Sequence, residues 1–303
     1  MFLKGIFADK SAVFQLMILL LLVLFGSIFS SLLVVTPFYL FYGMQADLMQ
    51  HPDLMRLIQL FSAIGTFLLP ALVFAWTCSY HPKDFLSIGR FPNVHLLLLT
   101  FLSMVLLSPA INLIGLFNRQ MDLPDCLAPL ENWMLAQEEA AEQVTQLLLS
   151  GEGAITLCAN LIVIALAAGI TEEFLFRGAL QRVFEKWTPN HHLVIWITAI
   201  LFSTFHLQFY GFIPRMLLGA YFGYLLYWSR NLWVPIFAHF TNNAIAVLSM
   251  SDESLKENEY ITGEITAPHL FPYTVIAVIL FILFLFCCQT IKRSALKTLS
   301  SSK

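Results

Sequence analysis

The sequence predicts an all-α polytopic membrane protein, a bundle of about eight transmembrane helices. Three observations predict it. Hydrophobic residues make up 58% of the 303 residues and charged residues only 12%, and mean hydropathy is +0.77. The apolar residues gather into runs close to the roughly 20 that a helix needs to cross a bilayer core about 30 Å thick. The charges are sorted between the intervening segments. An ordinary soluble domain carries roughly 25% charged residues. In water this chain would expose large apolar areas, so a soluble enzyme, a disordered chain and a nucleic-acid binder are poor readings.

Taken in order, the expected spans are 12–36, 57–78, 94–116, 154–176, 193–209, 212–228, 232–250 and 270–288. The first is too long for a signal-peptide apolar region and lacks a clear small-residue cleavage site, so it reads as a retained anchor. The fifth to seventh are short and joined by tight turns. Segment 130–150 is amphipathic and reads as a helix on the surface or as a solvated loop helix. Five cysteines (Cys78, Cys126, Cys158, Cys287, Cys288) form no CxxC pair and no disulfide framework, and most read as small buried hydrophobes.

Charge fixes the direction. With the N-terminus in the cytosol, only Arg56, Arg119, Arg215 and Lys256 of the 16 Lys and Arg fall outside. The other 12, from Lys4 to Lys303, fall inside, as the positive-inside rule asks. Of 19 acidic residues, 14 fall outside and 3 inside. An even number of spans with both termini cytosolic accounts for this. The expected division is residues 1–153 as N-terminal helices with an acidic external segment, 154–250 as the chemistry-bearing helices, and 251–303 as an external loop, a last span and a basic tail.

The remaining two acids, Glu172 and Glu173, lie in the apolar run LIVIALAAGITEEFLFRGAL. An ionisable group at such depth costs at least a few kcal/mol by insertion scales and marks a functional site by default. The bland reading pairs both with arginine near a helix end. His206 and His239 also lie within apolar spans. One buried histidine is ordinary; two beside two carboxylates and the Asn243 amide are harder to dismiss. If the fourth helix turns near Pro189, Glu172 and His206 stand 17 residues before and after the turn and share a level. With the next turn near Asn231, His239 and Asn243 lie about 12 and 18 Å deep at 1.5 Å per residue. All four can meet in one layer, expected to be reached from the cytosolic side. Helical phase pairs Glu173 with Arg177 and leaves Glu172 facing elsewhere. Phe202 shares a face with His206, and His239 with Asn243. Gly219 and Gly223 make a GxxxG close-packing surface.

A carboxylate and a histidine in a dry site can deprotonate water. A second histidine with an amide can donate to a developing oxyanion, about 3–4 kcal/mol of barrier per donor. No GxSxG or HExxH occurs and no serine or cysteine is obviously paired with histidine, which disfavours a covalent mechanism.

Glu172-Glu173-x-x-x-Arg177, Phe202-x-x-x-His206 and His239-x-x-x-Asn243, in this order on successive apolar helices, resemble the CAAX protease and bacteriocin-processing (CPBP, Abi) family. The resemblance covers roughly 154–250. It implies an eight-helix intramembrane endopeptidase in which Glu172 with His206 activates water and His239 with Asn243 stabilises the oxyanion. Glu173 and Arg177 would support the site, together with Phe202. It implies as substrate a membrane-associated peptide or protein, of CAAX or leader type. Such proteins are discussed both as glutamate proteases and as metalloenzymes. Glu172, His206 and His239 could ligate zinc, with an open fourth position. That set leaves only Glu173 as general base, and phase assigns Glu173 to Arg177, so no cofactor is the preferred expectation. Rival readings are a non-enzymatic scaffold or self-immunity protein that uses the cavity for binding, and a small transporter. Clustering at one level speaks against a transporter. Nucleic acid is not an expected partner, and oligomeric state is left open. A bacterial inner membrane is the expected location.

Overall fold

The computed structural model describes residues 3–300; Lys303 and the outer ends of the expected divisions 1–153 and 251–303 lie outside the described residues. Among these residues all regular structure is helical. The protein is an integral membrane protein, and its long helices follow the apolar runs. Helix α1 (Ala12–Tyr42) begins where the Ser11 side chain accepts the Phe14 N–H and ends at Gly43, whose φ of 90° only glycine adopts freely. α2 (Pro52–Cys78) starts with proline at its first position. α3 (Val94–Arg119) is capped by the Asn93 side chain accepting the Leu96 N–H. α4 (Ala128–Leu149) is the amphipathic segment. α5 (Ala154–Trp187) continues through the basic stretch to the turn at Pro189. Then come α6 (His191–Phe205), α7 (Phe212–Ser229), α8 (Trp233–Ser251) and α9 (Ala267–Ser300).

Leaving out α4, eight rods remain, the number the apolar runs predict. Five are long and apolar enough to cross a membrane on those grounds alone. α6, α7 and α8 are shorter, at 15, 18 and 19 residues. α6 rises only about 22 Å, which is less than the hydrocarbon core. It stops at Phe205, four residues before the expected end. His206 caps it, and Leu207 takes a left-handed φ of 55°, so the chain reverses inside the membrane depth. Irregular backbone at that depth survives only if its polar groups are satisfied or line a cavity. Asn118 on α3 does this for the 206–211 turn. Its amide donates to the Phe209 carbonyl at 3.0 Å and its Oδ1 accepts the Ile213 N–H at 2.7 Å.

Two apolar cores flank the functional layer. One joins α1, α2, α5 and α6 through Phe74, Phe176, Val183 and Phe202. The other joins α3, α7, α8 and α9 through Leu107, Phe222, Ala238 and Ile291. The outer face of α1 (Leu24, Phe25, Ile28) is bare apolar surface, as a face against lipid should be. The GxxxG of α7 is a close-packing surface, as its spacing predicts. A Cβ on Gly219 would stand 3.0 Å from the Phe202 ring, and one on Gly223 2.9 Å from Ile195, so α7 lies tight against α6.

α4 is a surface helix, as its amphipathic pattern predicts, with Leu148 its one buried residue and its end tied down. The buried Arg56 of α2 donates to the carbonyls of Leu148 (2.7 Å) and Ser150 (2.6 Å), to Asn160 Oδ1 (2.8 Å) and to Asp53 (2.6 Å). Those bonds tie the end of α4 to α2 and α5. In the sequence Arg56 looks like one more outer-loop cation.

Candidate active site

Glu172 and Glu173 end a short α-helical stretch of α5, Ala168–Glu173, set between two π-helical segments, Leu161–Ala167 and Phe174–Leu180. π segments are frequent at functional sites because the widened turn re-aims side chains. The two carboxylates point to different places, as a rotation of about 100° per residue requires.

Glu173 is fully buried. Its Oε1 accepts from Arg177 Nη1 at 2.7 Å and lies 2.9 Å from His239 Nδ1. Arg177, also fully buried, donates through Nη2 to the Gly219 carbonyl at 2.8 Å. Its guanidinium stands 4.5 Å over the Phe202 ring and 5.4 Å over Phe222, a cation–π arrangement. The absence of a side chain at Gly219 lets the arginine reach the α7 backbone, because a Cβ there would lie 3.2 Å from Nη2. The expected Glu173–Arg177 pair is present, and it carries a third member, His239.

Glu172 faces a cavity of about 430 Å³ shared with His206, His239 and Asn243. Its Oε2 lies 3.8 Å from His206 Nε2 and 3.9 Å from His239 Nε2 and has no hydrogen-bond partner. These gaps are too long for direct hydrogen bonds and match what one water oxygen bridges. The outward nitrogens set the tautomers. His206 Nδ1 is 2.9 Å from the Phe202 carbonyl, which only accepts, so Nδ1 carries the proton and neutral His206 presents an Nε2 lone pair to Glu172. His239 Nδ1 carries a proton toward the Glu173 carboxylate by the same logic. Asn243 donates one amide hydrogen to the Ile164 carbonyl at 3.0 Å, which leaves a second for the cavity. All four expected groups, drawn from α5, α6 and α8, therefore converge. Phe202 touches both imidazoles, with ring centroids 5.0 Å from His206 and 5.9 Å from His239.

Glu172, His206 and His239, the alternative zinc set, face one another across this gap. Tetrahedral zinc with bonds of about 2.0–2.2 Å sets its ligand atoms about 3.3–3.6 Å apart, a few tenths of an ångström inside these separations.

Several lining residues carried no sequence signal. Phe222 stacks on His239 at 5.1 Å and 22°, which fixes the imidazole between the two cores. Gln208 and Arg215 line the cavity wall toward the 206–211 turn. Arg215 stood out only as one of four outer cations.

The direction of access differs from expectation. Beneath His239 the fully buried Glu173, Arg177 and Gln181 close the basic end. The cavity instead shares Gln208, Gly211 and Pro214 with a second cavity lined by Glu131, Glu138 and Glu142 of α4. The site opens toward the acidic face because α6 and the 206–211 turn stop short and leave a vestibule there.

Residues 154–245 match the family model for type II CAAX prenyl endopeptidase Rce1-like proteins. This segment holds Glu172, Glu173, Arg177, Phe202, His206, His239 and Asn243 and fits the CPBP family that the motifs resemble. The uncharacterized protein YpbD of Bacillus subtilis (strain 168) is 26% identical over 105 residues, covering 33% of this chain. The chain spans about half, 51%, of the length of that curated relative. No solved structure matches it.

Proposed function

We propose that the protein is an intramembrane endopeptidase that hydrolyses a peptide bond in a membrane-associated peptide or protein of CAAX or leader type. The observation that carries this is Glu172 Oε2, unpartnered in a membrane-depth cavity and 3.8 and 3.9 Å from two imidazole Nε2 atoms. Water held between Glu172 and His206 loses its proton to them and attacks the carbonyl carbon. The proton then passes to the leaving amine. His239 and Asn243 donate to the oxyanion. His239 donates through Nε2 when doubly protonated, with its Nδ1–H held by Glu173. Glu173, Arg177, Phe202 and Phe222 hold the rings in place.

We favour the metal-free mechanism because zinc ligation by Glu172 would leave only Glu173 as general base, and Glu173 is already bound to Arg177 and His239. The zinc-dependent alternative would use Glu172, His206 and His239 as ligands. Stoichiometric zinc by elemental analysis, with activity abolished by chelation, would select it.

The basic ends of the helices lie in the cytosol by the positive-inside rule, as expected of a bacterial inner-membrane protein with both termini inside. The cavity then opens to the opposite face, and substrate enters from there.

The decisive experiment compares membrane peptides in cells carrying wild type, Glu172→Gln or His206→Ala at equal expression. Removal of a general base should lower cleavage by about 10²- to 10⁴-fold. Full cleavage by Glu172→Gln would overturn the assignment.

A further inference from the structure

Arg215 is a cation in an unfavourable place. It is the fourth residue of α7, at the helix end whose dipole is positive. It is partly buried at membrane depth and lines the same cavity as Glu172 and His206. No carboxylate lies within ion-pair distance of it among the described residues, although Glu138 on α4 and Glu172 are near enough to act on its charge. Its bonds go to one neutral residue. Nη2 donates to Gln208 Oε1 at 2.7 Å and Nη1 to the Gln208 carbonyl at 3.4 Å. A guanidinium has five donors in a planar fork, so three remain, and Gln208 braces the group against the turn. Gly211 leaves room for it, since a Cβ there would lie 3.3 Å from Nη2.

Among the described residues, every other buried or half-buried arginine is answered. Arg177 has Glu173, Arg56 has Asp53 and Arg182 has Glu185. Of the buried and half-buried arginines among the described residues, Arg215 alone faces a cavity instead of a carboxylate. A planar fork of this kind matches a carboxylate in bidentate geometry. The helix N-terminus beneath it favours the same sign of charge. The acidic lining of α4 makes the vestibule hostile to a freely diffusing anion, so the ligand is one delivered as part of a longer, apolar peptide.

We propose that Arg215, braced by Gln208, is a specificity-determining residue that binds a carboxylate of the substrate beside the scissile bond. The carboxylate is either the free C-terminus of the peptide or an acidic side chain. This rests on the endopeptidase reading for its reaction, but binding tests it separately.

The test uses the full-length protein in lipid nanodiscs and membrane-anchored, quenched-fluorescence peptides of one apolar sequence. Four forms are compared: free C-terminal carboxylate, C-terminal amide, amide with an internal glutamate, and amide with glutamine in its place. Binding is measured on the Glu172→Gln protein and hydrolysis on the otherwise wild-type protein. A charge-assisted hydrogen bond is worth about 10- to 100-fold. The acidic form should therefore be preferred over its neutral counterpart by that factor, chiefly in KM. Arg215→Gln should bring the ratio to about one, and Arg215→Lys should keep part of it. The preferred acid identifies the source of the carboxylate. No preference in the protein carrying Arg215, a preference that survives Arg215→Gln, or no binding of any form overturns the proposal. Preferential binding without hydrolysis supports Arg215 and overturns the endopeptidase reading; hydrolysis without preference does the reverse.

Discussion

Nδ1 of His239 on α8 lies 2.9 Å from Oε1 of Glu173 on α5, the oxygen that also accepts from Arg177 at 2.7 Å. One buried carboxylate oxygen thus joins a fully buried cation to a cavity-lining imidazole. Stability and the state of the active histidine depend on the same atom.

Removing one member of this group should be expensive. Breaking a buried ion pair from one side costs about 3–5 kcal/mol, because the other charge is left uncompensated. Glu173→Gln and Arg177→Met should each lower thermal stability in detergent markedly. The double variant should be more stable than the sum of the two predicts. Simple additivity in that double-mutant cycle would contradict the coupling.

Gly219 should tolerate no side chain. A Cβ would lie 3.0 Å from Phe202 and 3.2 Å from Arg177 Nη2. Overpacking of this kind costs about 1–3 kcal/mol. Gly219→Ala should therefore reduce stability and also activity, since the residue it displaces positions His206 and His239. Gly43→Ala serves as a control for steric effects, because nothing lies within 4 Å of a Cβ there. It should alter stability through backbone strain only and leave turnover unchanged.

The 252–266 segment should loosen in acid. The Thr266 backbone N–H (3.0 Å) and then the His269 ring (3.0 Å) hold the Glu259 carboxyl below its ordinary 4.5. A depressed pKa gives stability that is present above the ordinary value and lost as pH falls through the folded one. Amide exchange of residues 252–266 should rise as pH drops below about 4.5 relative to the helices. In Glu259→Gln the pH dependence around residues 259–266 should be lost, while residues 252–257, held by the Asp252 carboxylate on Ser254, keep theirs.

Sidedness can be read from a native thiol. Cys126 is exposed, just before α4 on the acidic face. A membrane-impermeant maleimide should label it in intact cells. A cysteine placed at Lys83, in the turn between α2 and α3, should react only after permeabilisation. The reverse pattern would place the cavity mouth in the cytosol.

Much of this protein was legible in its sequence because lipid imposes simple rules. A helix must satisfy its own backbone and be apolar for its full crossing, so the eight rods could be counted from runs of hydrophobic residues. Fixed rise and rotation per residue likewise placed Glu172, His206, His239 and Asn243 at one level, and paired Glu173 with Arg177. What no one-dimensional pattern contains is where neighbouring chains run out. That α6 ends at Phe205, that Asn118 closes the turn beyond it, and that the vestibule lies under α4 follow from packing between residues distant in sequence. The same packing gave Glu173 its second partner, His239, and left Arg215 facing open space. Periodicity reports which side of a helix a residue occupies; only the folded neighbours decide what it meets there.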